Sequence, residues 1–420
     1  MLLLVPDVEG GFGFFRAAQA DPGNAIWSGF AQQLTHAPWR GSTIWDLVMP
    51  VFVFVVGLSM ALSMRRKVAG PAVDAREWHS AGIRVATLII LGLLLLFSAK
   101  TAFEQLLPLM VLAAAAVNVD SRAIGPSAGR GGRVAADGLR IAVLCLALWT
   151  MLAHVERLAI RGMSSQILIL LGLAYLPAFA LFRWNRRGAV YVATMLLLLH
   201  GLLFAAFAAM PGVSVDGAYD PWSRQANVGG ALDHYFYATL LRDEEYVGDL
   251  HGYHLLQFVP LIFTIVAGAA CGRVAASNGR SERSARMLVV GGACGLVAGL
   301  ALDACCVPMI KSIWTLSWSV FSTSAAILLL GVLLEVCAKP RVRVIASPLV
   351  ILGTNPVLLY VLGYLIAHQQ RWRIVDALRR TFGFDWLTQP WHHVAHAGIV
   401  FLVLFAVAAA LHRAKIRIRV

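Results

Sequence analysis

Polar residues interrupt this chain at short intervals, and between them run stretches with almost no charge. Many of these stretches reach the roughly 17–25 residues that a helix needs to cross hydrocarbon. With soft edges they fall at 46–64, 82–98, 104–118, 138–154, 165–182, 188–209, 253–272, 287–305, 312–337, 346–367 and 393–411. A further apolar stub occupies 1–15. The pattern predicts an all-α polytopic helical bundle with about 11–12 transmembrane helices, built as a single domain over residues 1–420. The five apolar residues before Pro6-Asp7 are too few to cross a bilayer, so the first helix reads as truncated. The 104–118 run is short and also suits a re-entrant segment.

Composition sharpens the class. The chain is 59% hydrophobic and 14% charged, with mean hydropathy +0.73, whereas a soluble domain carries roughly 25% charge. No basic segment precedes an apolar core with a small-residue cleavage site, so no signal peptide is expected. The six cysteines show no CxxC spacing, which argues against disulfides and a zinc site. The vicinal Cys305-Cys306 reads as two ordinary buried thiols.

Charge sets the orientation. If the stub runs outward, the cytoplasmic segments are 65–84, 119–140, 183–187, 273–286, 339–343 and 412–420. These carry 23 of the 35 Lys and Arg, against six acidic residues in or beside them. The opposite orientation would invert the positive-inside rule at every loop. The net charge of +13 is therefore a topology signal, and no nucleic-acid motif accompanies it. The expected location is a bacterial inner membrane with the C-terminus cytoplasmic. Two long outer loops follow, 210–252 and 368–392, both mixing aromatic, basic and acidic residues.

Several polar groups stand at or inside the apolar runs. The stretch HAPWRGSTIWDLVMPVFVFVVG places His36, Trp39, Arg40 and Asp46 at the outer mouth of the 46–64 helix. Asp46 suits a helix-capping role as well as a chemical one. Asp303 and Lys311 flank the outer ends of neighbouring helices, where pairing with each other would offset their burial. Asn355 needs a partner for its amide, through a helix–helix hydrogen bond or a contact to a substrate. His392, His393 and His396 form HHxxH without an acidic residue, so interfacial histidines are expected there and no metal. His251 and His254 are expected at the outer end of the 253–272 helix. Gly291, Gly295 and Gly299, with Gly268 and Gly272 on the preceding helix, predict close packing of those two helices.

The run from His36 resembles the signature of the heparan-α-glucosaminide N-acetyltransferase family. The matching positions are His36, Trp39, Gly41, Thr43, Asp46, Leu47, Pro50, Phe52, Phe54 and Gly57. Further family landmarks follow in order: SSQILILLGLAYL at 164–176, ALDHYFY at 231–237, PMIKSIWTLSW at 308–318 and LGTNPVLLYVLGYLI at 352–366. The resemblance covers nearly the whole chain. It departs at the start, where MLLLVPDVEGGFGF matches only the outer half of the family's first helix and lacks its Leu-Asp-x-x-Arg-Gly element. It also departs in the 104–118 and 138–154 pair, which adds one spanning segment.

The resemblance implies an acyltransferase that moves an acetyl group from cytoplasmic acetyl-CoA to a sugar amine or hydroxyl at the outer face. The bilayer, acetyl-CoA and a glycan or amino-sugar acceptor are then its partners, and a homodimer stays open. It carries the family's catalytic histidine onto His36, with Asp46 as its candidate catalytic partner, and Trp39, Asp233, Lys311, Trp314 and Asn355 are the candidate substrate contacts. The attacking group must lose a proton, and imidazole titrates near neutrality when unperturbed. A carboxylate close by would fix its tautomer; His36 and Asp46, ten residues apart, allow contact without dictating it. Direct transfer and an acetyl-histidine intermediate are equally compatible with the sequence. No Gly-rich phosphate loop is present, and the basic cytoplasmic loops leave the CoA-binding residues unassigned. A multi-pass transporter is the alternative, but it calls for an internal repeat of discontinuous helices, which the sequence lacks. A non-catalytic protein of envelope assembly is the third reading, and it calls for no cavity joining the two faces.

Overall fold

The computed structural model describes residues 25–64, 71–116, 130–206, 221–224, 226–243, 251–277, 282–369 and 391–416, with isolated positions between and beyond them. The stub and nearly all of the 368–392 loop lie outside the described residues, as do the side chains of His392, His393 and His396. Among the described residues the fold is all-α, and the only β-type pairing is an isolated bridge between Phe97 and Leu158.

Each of the eleven apolar runs from residue 46 onward carries helix. A short helix α1 (Ala25–Gln33) leads to α2 (Val48–Met64), which is entered through a 3-10 turn at Trp45–Leu47. Then come α3 (Pro71–Leu96), α4 (Ala102–Ala116), α5 (Arg130–Ala153), α6 (Ile167–Trp184) and α7 (Arg186–Ala206). After the short α8 (Val228–Tyr235) the chain continues as α9 (Phe258–Ser277), α10 (Glu282–Cys305) and α11 (Leu316–Val336). The last third is α12 (Pro340–Ile345), α13 (Ser347–Leu352), α14 (Pro356–Gln369) and α15 (Trp391–Arg413). Seven helices, namely α2, α3, α6, α7, α9, α10 and α11, are long and apolar enough to cross a membrane, α2 and α9 with their lead-in turns. Shorter apolar helices lie within α4, α14 and α15.

The 346–367 run is broken rather than continuous. Pro348 opens α13 and Pro356 opens α14, with Gly353-Thr354-Asn355 between them. Proline lacks an N–H and biases the preceding residue away from the helix, so the ladder restarts at each.

Helices α2, α3, α6, α7 and α9 form the centre, around Val53, Leu91, Leu168, Leu171, Ile265 and Trp318. Glycines set the closest approach. A Cβ at Gly57 would fall on the Ile265 carbonyl, and one at Gly268 on the Phe54 carbonyl. Helices α2 and α9 therefore meet backbone to backbone. The expected packing of α9 on α10 through their glycines is corrected. Gly268 and Gly272 face α2, whereas Gly295 and Gly299 face Ser324 and Phe321 of α11. Gly291 faces open space. Helix α10 lies at the periphery against α11, with only 17% of its apolar window buried. That position also corrects the expectation for Cys305 and Cys306, which are exposed free thiols at its end.

The helices α2, α9 and α11 all begin at one end of the bundle, where α7 and α10 terminate. At this end the Gln257 side chain donates to the Ser312 carbonyl at 2.6 Å, and Tyr237 Oη donates to the Ile160 carbonyl at 3.0 Å. Arg161 and Asp243 add a two-pronged ion pair at 2.6 and 2.7 Å. The opposite end carries the Arg183–Glu77 pair at 3.2 Å and the tips of α6, α7 and α9.

Candidate active site

The His36 loop lies across the beginning of α2 because Asp46 ties it there. Asp46 Oδ2 accepts the backbone N–H groups of Ala37 and Thr43, each at 3.1 Å, and stands 3.0 Å from the Thr43 hydroxyl. Four polar atoms from one short loop thus converge on a single carboxylate, which is only 1% exposed. Its other oxygen, Oδ1, is 2.7 Å from His36 Nδ1 and 3.1 Å from Lys311 Nζ.

Lys311 reaches this point from the other half of the chain. The Gly41 N–H donates to the Met309 carbonyl at 2.8 Å, which seats the Met309–Trp314 turn over the His36 loop. Gly41 has φ +96, a conformation that glycine adopts without strain. Inside the turn Trp314 N–H donates to the Lys311 carbonyl at 3.0 Å, and Trp314 itself is left-handed at φ +44. A bulky residue held there is strained and persists only where its surroundings enforce it. Trp314 is 2% exposed, so packing supplies that enforcement.

The pairing of Asp303 with Lys311 expected from sequence does not form. Asp303 Oδ1 accepts the Met309 N–H at 2.6 Å and so shapes the turn. Lys311 points instead to Asp46 and to His36, with Nζ 2.9 Å from His36 Nδ1. The turn carries the ammonium back over Gly41, away from the end of α10.

These distances fix a tautomer. An ammonium has no lone pair, and the Asp46 carboxylate has no proton to give. The mutually consistent pattern has both Lys311 Nζ and His36 Nδ1–H donating to Asp46 Oδ1. In the neutral ring Nε2 then carries the lone pair. It has no partner among the described residues, and the His36 side chain is 49% exposed. Trp45 meets the ring edge-on, with centroids 6.4 Å apart. Carboxylate and cation thus anchor one nitrogen of a half-exposed imidazole and leave the other without a partner among the described residues.

Trp39 lies on the same loop, but its polar handle is committed within the protein. Its indole N–H donates to the Trp222 carbonyl at 2.9 Å, and the Arg224 guanidinium sits 5.0 Å from its ring centroid. Arg224 also donates to the Pro38 carbonyl at 3.0 Å. Trp39 therefore pins the 221–224 segment onto the His36 loop. Its ring also packs beside Phe204, Val228, Ile310 and Ile313, under the Lys311 turn.

Asp233 forms a separate anchor. Both its oxygens accept the Leu255 N–H, at 3.0 and 3.2 Å, and so cap the turn that starts α9. Burial raises its pKa to about 7, with Asp249 adding to the rise and the Leu255 N–H opposing it. Burial likewise raises Tyr237 and Tyr246, whose rings stack at 4.0 Å. His254, expected near the surface, is 1% exposed and packs against Gly229 and Phe204. Asn355 is buried and holds the C-terminal tail: its amide donates to the Ile416 carbonyl at 3.2 Å and accepts the Ile418 N–H at 2.6 Å. Of the sequence candidates, then, His36, Asp46 and Lys311 meet, while Trp39 and Trp314 brace them. Asp233 and Asn355 hold other segments.

Thr43 completes the site, and its spacing to Asp46, three residues apart at a helix entry, is the capping signal in the sequence that points to it. Among the described residues no group of three or more His, Cys, Asp or Glu is placed to hold a metal ion. No protein-family model matches the chain, and no curated protein matches it either. The motif resemblance therefore stands on the quoted residues alone.

Proposed function

We propose that the protein is a transmembrane acyltransferase. It takes an acetyl group from acetyl-CoA on the cytoplasmic side and delivers it to a sugar amine or hydroxyl at the opposite face of a bacterial inner membrane. The observation that supports this best is the His36–Asp46–Lys311 constellation, with the half-exposed His36 ring at the start of the apolar helix α2.

The chemistry follows from that tautomer. The acceptor amine or hydroxyl attacks the thioester carbonyl, and His36 Nε2 takes its proton. The C–S bond breaks as the tetrahedral intermediate collapses, and the imidazolium returns the proton to the departing thiolate. In the two-step variant Nε2 attacks the thioester carbonyl and the C–S bond breaks to release CoA as its thiolate. The acceptor then attacks the acetyl-imidazolium, the N–C bond breaks to return the neutral ring, and the proton the acceptor loses goes to the thiolate. In both variants Asp46 stabilises the positive charge that builds on the ring. Lys311 compensates the buried carboxylate while Nε2 is neutral, because a lone ion buried there would be costly.

Membranes containing the protein, given acetyl-CoA labelled in the acetyl group and an amino-sugar acceptor, should transfer label to the sugar. His36→Ala should abolish that transfer. Undiminished transfer in His36→Ala would remove the residue from the reaction.

A further inference from the structure

The end of the bundle opposite His36 carries a feature that the site does not use. Arg183, Trp184, Asn185, Arg186, Arg187 and Arg273 line an open recess of about 390 Å³. The first five form one sequence run, where α6 ends and α7 begins, and Arg273 comes from the C-terminal part of α9. Helix α9 packs on both α6 and α7, which brings its guanidinium to the others. Arg183 is paired with Glu77. Arg186, Arg187 and Arg273 are exposed and have no acidic partner among the described residues.

Three unneutralised guanidiniums around one recess repel each other, and an anion of high charge density relieves that repulsion. Guanidinium forks match phosphate oxygens in two-pronged fashion. The helix end itself contributes little, because the Asn185 side chain already accepts the Arg187 and Gly188 N–H groups at 3.2 and 3.0 Å. Trp184, 92% exposed, offers a flat ring at the rim on which a base can stack.

We infer that this recess binds phosphate monoester and diphosphate groups. Resting on the acyltransferase reading, it is the seat of the phosphorylated adenosine end of the acyl donor. The span suits such a donor. Arg273 lies sixteen residues along the helix from Gln257, which holds the turn beside Lys311, or about 24 Å of helix rise. A ligand anchored here can serve chemistry near His36 only through a long, thin arm between phosphates and thioester. An anionic phospholipid headgroup carries the same phosphate chemistry, and the test separates the two sources.

The test uses the full chain in neutral-lipid nanodiscs. Adenosine 3′,5′-bisphosphate and acetyl-CoA are titrated by calorimetry, and retention of phosphatidylglycerol is read by native mass spectrometry. Arg186→Gln, Arg187→Gln and Arg273→Gln are combined, with Arg40→Gln at the other end as control. All three sites are exposed, and single Arg187→Gln serves if the triple variant folds poorly. The expected result is at least a tenfold weakening for the bisphosphate and for acetyl-CoA in the triple variant, with none in the control. Loss of phosphatidylglycerol retention alone would keep the phosphate site and assign it to lipid. Unchanged binding of both probes would overturn the site. If labelled transfer persists with an unchanged KM for acetyl-CoA, the donor assignment fails while the acyltransferase stands. If the bisphosphate binds but wild type transfers no acetyl group, the site stands and the acyltransferase reading fails.

Discussion

At the scale of single residues, Asp46 organises the site by accepting from both halves of the chain. Replacing it by Asn keeps the shape but offers a neutral oxygen in place of a carboxylate, so neither the ammonium nor the growing imidazolium is balanced. Asp46→Asn is expected to lower acetyl transfer by about 10²–10⁴-fold, measured as labelled product per unit of folded protein. Lys311→Met removes the cation beside a buried carboxylate. Destabilisation on the order of 3 kcal/mol is expected in a detergent melt, if His36 does not take over the charge. The sequence made His36 and Asp46 legible because both lie in one short motif. It misassigned Lys311, because its partner is 265 residues away and only the Gly41–Met309 contact decides between Asp46 and Asp303.

Asp233 yields a pH prediction with a definite sign. Its folded pKa, about 7, lies above the ordinary value of 3.8. Between those values the folded state holds more protons than the unfolded one, so stability falls as pH rises. The contribution is complete below about 4 and is lost on passing through 7. Wild type should therefore melt lower at pH 7.5 than at pH 5 in detergent. Asp233→Asn, which still accepts the Leu255 N–H, should flatten that slope. An unaltered slope in the variant would assign the pH dependence to other groups.

At the scale of elements, backbone contact between α2 and α9 positions the site. Those two helices carry Asp46 and the Gln257 brace at their starts. Gly57→Leu or Gly268→Leu places side-chain atoms where a carbonyl now sits. Each is expected to destabilise by about 1–3 kcal/mol or more, and to depress transfer with it. Gly291→Ala meets nothing within 4 Å and should not lower the melt. The four glycines of α10 look alike in sequence, yet Gly292, Gly295 and Gly299 are close-packed against α11 and Gly291 is not. Spacing shows that a face is smooth; it does not say which helix covers it. The broken 346–367 run was legible in principle, since Pro348 and Pro356 stand in it, but hydropathy averaged over the run hides them.

At the scale of the whole molecule, hydropathy alone read the all-α bundle correctly, because every span must satisfy its own backbone hydrogen bonds in lipid. Large apolar side chains such as Trp149, Tyr191, Met195 and Leu202 remain exposed on the outside, as lipid-facing positions require. Charge asymmetry adds the expected orientation, with the His36 end outside and the Arg183–Arg187 end inside. In a cysteine-free background, Arg40→Cys should react with a membrane-impermeant maleimide in intact spheroplasts. Arg187→Cys should react only after permeabilisation.

The most direct measurement is sidedness of transfer in sealed vesicles holding the purified full chain. Labelled acetyl-CoA is supplied on the face bearing Arg186 and Arg187, and an impermeant amino sugar is trapped on the face bearing His36. The account predicts acetylated sugar in the trapped compartment with wild type and none with His36→Ala. Label that stays in the donor compartment, or that crosses equally well in His36→Ala, contradicts it.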